Sequence, residues 1–242
     1  MIPRCAGCDC GPVPVSAPEM AIVAHGQPGN PGALQPEIEA LAARVSALLQ
    51  RPVAGATLAC PRSLAALPGV RAVYPLFMAG GWFVNSEMPR RLAAAGVQGY
   101  AVTPPLGSDP GLPPVGGQVA RASARAAGID PATATLVVVG HGSSKSRASA
   151  DSTRAFAASL PAGFATVVTA FIEEAPFLTD LVLDGPAVCL PFFATNGSHT
   201  TDDIPDAWAA LGAPGPIAPA IGTTDAVPAL IAAAMGDPGA AA

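Results

Sequence analysis

The chain has 242 residues, half of them apolar and only 12% charged, with a formal charge of −5. That is ample for packed cores and for one large domain or two of ordinary size. The twelve basic residues are scattered and outnumbered by seventeen acids, which argues against nucleic acid as a partner. No apolar run nears the roughly 20 residues of a membrane span, and no secretory apolar segment opens the chain, so a cytoplasmic protein is expected.

Residues 1–19 are rich in Cys, Pro and Gly and carry Cys5, Cys8 and Cys10. This Cys-x-x-Cys-x-Cys set is a soft donor cluster one ligand short of a closed metal or iron–sulfur site. A poorly ordered tail is expected there, and its deletion should leave the core activity intact. Short β-branched runs alternating with Ala/Leu-rich segments then predict an α/β chain with parallel sheets. In the first half the strands fall near 20–24, 52–58, 70–76 and 98–103, and the helices near 34–50, 86–96 and 114–127. Ile38, Leu41, Val45 and Leu48 or Leu49 give the first helix one buried stripe. In the second half strands are expected near 135–140, 164–171, 186–192 and 215–220. Pro89 and Pro205, each preceded by acidic residues, mark helix starts.

The two halves repeat. His25-Gly26 returns as His141-Gly142, Pro75 as Pro191, Gly81 as Gly197 and Pro89 as Pro205, each pair 116 residues apart. The Pro/Gly-rich TPPLGSDPGLPPVGG has its own echo near 218–230, so the boundary is expected around Gly128 to Thr133. The expected architecture is two similar doubly wound domains, each a four-stranded parallel sheet flanked by helices, over 20–130 and 131–242.

All three histidines of the chain lie where a predicted strand passes into a loop. Ligands of open α/β sheets bind beyond the carboxyl ends of the strands. His141 follows LVVVG, His199 follows VCLPFF by a few residues, and Glu173 ends VVTAF. Two imidazoles and a carboxylate on three strand ends can hold a divalent first-row ion with coordination positions left open, which is a catalytic arrangement. Protonated imidazole cannot ligate, so activity should fall in acid. Glu174 is the alternative acid, and either could simply begin a helix. In the first half Phe83 replaces the second histidine, and Thr57, Leu58 or Ala59 stands where the acid would be. The working site is therefore expected in the second half. A strand-end His-Gly also occurs in α/β-hydrolases and histidine phosphatases. Here the chain lacks a Gly-x-Ser-x-Gly elbow and an Arg directly before the pair.

VVVGHGSSKSRA, AFIEEAP and LPFFATNGSHTTDDIP, in this order and spacing, resemble the signatures of the class II tetrapyrrole chelatases of the sirohydrochlorin and cobalt-chelatase type. The resemblance covers roughly 135–211 and, through the repeat, extends more weakly to 20–128. It implies a fused two-unit form acting as a monomeric pseudo-dimer. It also implies insertion of Fe²⁺ or Co²⁺, in some lineages Ni²⁺, into a sirohydrochlorin-type ring for sirohaem or cobalamin, with no permanently bound cofactor. His141, His199 and Glu173 take the metal-facing and catalytic roles. Gly142, Ser143, Ser144, Lys145 and Arg147 are candidates for the ring's carboxylates, though the two cations could equally be solvated loop charges. Phe83 and His25 are candidates for the ring itself. A non-catalytic tetrapyrrole or metal carrier using the same residues is the alternative.

Overall fold

The computed structural model describes residues 18–27, 29–212 and 214–236; the cluster of Cys5, Cys8 and Cys10 lies outside them. In chain order the elements begin β1 (Met20–Ala24), α1 (Gln35–Leu49), β2 (Val53–Thr57), α2 (Pro61–Ala65), β3 (Ala72–Leu76), α3 (Met88–Ala94) and β4 (Ala101–Val102). They continue with α4 (Leu112–Ala126), β5 (Thr135–Gly140), α5 (Ala148–Ala158), β6 (Thr166–Phe171), β7 (Ala187–Pro191), α6 (Ile204–Ala210) and α7 (Val227–Gly236). The fold is α/β with two parallel sheets, β2-β1-β3-β4 and β6-β5-β7.

Two compact units form. One comprises the described residues up to Leu106 with those from Pro228 onward, and the other is Gly107–Val227. The division after Leu106 lies ahead of the expected one at 130/131 because α4 packs against β7 and α5 in the second unit. Its tight approach uses Gly116, where a Cβ would meet the Phe156 ring. In the first unit α1 lies on β2 through Ile38, Ala42 and Val45, all buried. Gly55 permits this contact, since a Cβ there would overlap the Ile38 backbone. The buried Gln35 side chain fastens the same pair, accepting from Thr57 N–H at 3.1 Å and donating to Gly55 O at 2.9 Å.

The second sheet corrects the four-strand expectation. The segment predicted at 215–220 makes only a single bridge, Cys189 to Ile217. The Pro214 and Pro216 carbonyls accept from β7 at Ala187 and Cys189 and Ala218 N–H donates to Cys189 O, but Pro214, Pro216 and Pro219 have no N–H to donate, so a full ladder cannot form. The first sheet keeps its fourth strand, reduced to two residues.

Each sheet has the same central feature. The first strand of each unit lies between its second and third, so β1 and β5 end at the point where the strand order reverses. That is where a doubly wound sheet opens a crevice. Local geometry also recurs at the repeat spacing. Turns of π-helix span Phe83–Glu87 and His199–Asp203, directly before α3 and α6. Gly26 and Gly142 both take a left-handed φ, 74° and 73°.

A candidate metal centre at three strand ends

The second unit brings together the three residues expected from the sequence. His141 leaves β5, Glu173 stands two residues past β6, and His199 opens the π-turn after β7. Their ligand atoms all lie within 4.8 Å of one another. His141 Nε2 is 3.7 Å from Glu173 Oε1, and the two imidazoles meet edge to face with centroids 4.7 Å apart. Donors at about 2.1 Å from a tetrahedral ion are about 3.4 Å apart. Small side-chain rotations therefore suffice to close the set on an ion. The side chains are 40%, 53% and 33% exposed for His141, Glu173 and His199, which leaves room for other ligands.

Each imidazole has its Nδ1 engaged away from the cluster. His141 Nδ1 is 2.7 Å from Gly142 O, and His199 Nδ1 is 2.6 Å from Asp203 Oδ2. A carbonyl and a carboxylate both accept, so in each ring the proton belongs on Nδ1 and the lone pair on Nε2. Both lone pairs are thus available to a metal.

The backbone explains why these residues meet. Gly142 must turn at φ 73°, and a Cβ there would come within 2.7 Å of Glu174 Cγ and 2.9 Å of Phe171 Cβ. Glu173 N–H donates to His141 O at 2.9 Å, tying the acid's backbone to the histidine's. The two neighbouring acids have different partners. Glu174 accepts from Ser143 N–H at 2.8 Å and lies 3.5 Å from Arg154, so it holds the turn, while Glu173 faces the histidines. The turn's own amides are partly committed, since Gly142 N–H donates to Ser149 Oγ at 3.2 Å. Ser144, Lys145 and Arg147 are exposed, and Arg147 lies 3.8 Å from Asp151.

The first unit shows what the same frame becomes without these residues. His25 Nδ1 is 2.6 Å from Gly26 O, as in its counterpart, but its ring meets Phe83 edge on at 4.3 Å. Strand pairing sets the register: Ala24 pairs with Thr57 as Gly140 pairs with Phe171. Ala59, whose N–H donates to His25 O at 3.1 Å, therefore occupies the place of Glu173. Phe77 and the exposed Trp82 complete an aromatic group around Phe83. Among the described residues the second unit's trio is the cluster suited to a metal. Asp203 is the functional candidate that sequence reasoning assigned only to a helix start; its signal was its position four residues after His199.

Comparison with known proteins points the same way. The CbiX family model matches residues 135–237. The solved structure of CbiX, the terminal enzyme for biosynthesis of siroheme in denitrifying bacteria, is 45% identical to this chain. It superposes with a TM-score of 0.82 over 90% of this chain and 98% of its own. The chain belongs to the CbiX family. Two further structures share the fold with this CbiX-family chain at lower identity. SirB from Bacillus subtilis with Fe³⁺ is 18% identical, TM-score 0.71, covering 91% of this chain and 95% of its own. SirB from Bacillus subtilis subspecies spizizenii in complex with cobalt is 16% identical, TM-score 0.64, covering 90% and 94%. None of the curated proteins matches the chain. No helix of the described residues is long and apolar enough to cross a membrane.

Proposed function

We propose that this CbiX-family chain is a sirohydrochlorin chelatase, inserting Fe²⁺ or Co²⁺ into a sirohydrochlorin-type ring in sirohaem or cobalamin biosynthesis. The observation that carries the reading is the convergence of His141, Glu173 and His199 within 4.8 Å at the open end of a sheet, in a chain 45% identical to CbiX. The ion is a substrate, so it must be held firmly enough to shed water yet be released to the ring. Two neutral imidazoles and one carboxylate, half-exposed, meet that requirement better than a closed four-ligand cage. Insertion exchanges the ion for two pyrrole protons, and the side chains that release the metal can accept them on Nε2 of an imidazole or on the Glu173 carboxylate.

The ring's carboxylates would meet the exposed Ser144, Lys145 and Arg147, on the turn that Gly142 and Ser143 shape. The protein is proposed to act in the cytoplasm as a monomer, its two units standing for the two subunits of a dimer. The test is insertion followed spectroscopically with sirohydrochlorin and Fe²⁺, Co²⁺ or Ni²⁺ in turn. Turnover with at least one ion is expected, whereas saturable binding at one equivalent would identify a carrier.

A further inference from the structure

We infer that Asp203 is a positioning residue for the metal substrate, acting through His199; this rests on the chelatase reading above. Asp203 directly precedes α6, where an acid ordinarily caps the helix or offsets its dipole. Its side chain makes no capping bond. It turns back along the π-turn to His199 Nδ1 at 2.6 Å, the shortest polar contact of the cluster.

The first unit shows that this use of the acid is not dictated by the fold. Glu87 occupies the same place at the end of the matching π-turn, but there it accepts from Arg90 at 2.8 Å and from Arg91 at 2.7 Å, and the ring four residues earlier is Phe83. In the second unit the two arginine positions carry Asp206 and Ala207. No cation competes from those positions, and the carboxylate goes to the imidazole. The unit that keeps the second histidine thus also keeps its acid unclaimed by arginine.

The consequence is an asymmetry between the two ligating rings. His141 is backed by a neutral carbonyl and His199 by a carboxylate. A carboxylate fixes the Nδ1–H tautomer more firmly and makes the opposite nitrogen a stronger donor. His199 is therefore the ring whose hold on the ion depends more strongly on its outer partner, and Asp203 sets both its tautomer and its direction.

Co²⁺ binding to the full-length protein without tetrapyrrole, read from its d–d absorption, tests this. Asp203→Ala is expected to weaken Co²⁺ about 10- to 100-fold, with the thermal midpoint near that of the parent. Asp203→Glu is expected to recover part of the loss. In a His199→Ala background, Asp203→Ala should have no further effect. An equal loss in that background, or unchanged binding by Asp203→Ala alone, overturns the inference while leaving the chelatase reading in place. Unchanged Co²⁺ binding by His199→Ala itself would overturn both.

Discussion

At the scale of single residues, the site depends on a few side chains and one glycine. His141→Ala and His199→Ala are each expected to abolish insertion. His25→Ala should be mild, because its neighbour at the position matching His199 is Phe83 at 4.3 Å, so its unit lacks the second imidazole. Steady-state rates with metal and ring varied separately distinguish these effects. Gly142→Ala should cost about 1–2 kcal/mol in unfolding free energy from its left-handed φ alone. The overlap with Glu174 and Phe171 adds to this, so the loss of activity should exceed the loss of stability. Denaturant unfolding beside initial rates gives both quantities. His141, His199 and Glu173 were legible in the sequence because each follows an apolar strand in a repeat whose other copy lacks the set. The sequence favours Glu173 over Glu174 without showing what separates them, which is that the Ser143 N–H and Arg154 engage Glu174.

At the scale of elements, the π-turn and helix after each third strand carry the difference between the units. In the second unit Ile204 and Trp208 bury one face of α6, and Trp208 Nε1 donates to Gly215 O at 2.7 Å. Trp208→Ala should cost about 3–5 kcal/mol and loosen the turn bearing His199, raising the metal KM as well as lowering the thermal midpoint. In the first unit, hydrogen bonds from Arg90 and Arg91 hold the Glu87 carboxyl down at about 2, from an ordinary 4.5. A lowered carboxyl favours the folded state above pH 4.5, and that contribution is lost as pH falls from about 4.5 through about 2. Glu87→Gln should therefore flatten the pH dependence of stability across this window, as acid titrations of the unfolding midpoint would show. Helix α1 was legible from its apolar periodicity, and seven of the eight strands from short β-branched runs between Ala/Leu-rich segments. The reduction of the eighth strand to a bridge was not foreseen from β-propensity, although the three prolines that cause it are plain in 214–219.

At the scale of the whole molecule, the repeat made two similar α/β units readable, but the packing boundary did not follow the repeat. A sequence echo records which segments correspond, whereas the compact unit depends on which sheet a helix covers, and α4 covers β7. The chain is a member of the CbiX family in which one unit holds His, Glu and His while its counterpart presents His25, Ala59 and Phe83. A monomer in sedimentation at working concentration is expected, the second unit of the pair being built into the same chain. The most direct test of the central claim is a multiple-turnover insertion assay on the parent protein beside His199→Ala, with sirohydrochlorin in large excess over enzyme and Fe²⁺ or Co²⁺ as the ion. Many equivalents of metallated ring from the parent and none above the uncatalysed rate from His199→Ala are predicted; equal rates from the two proteins would contradict the account.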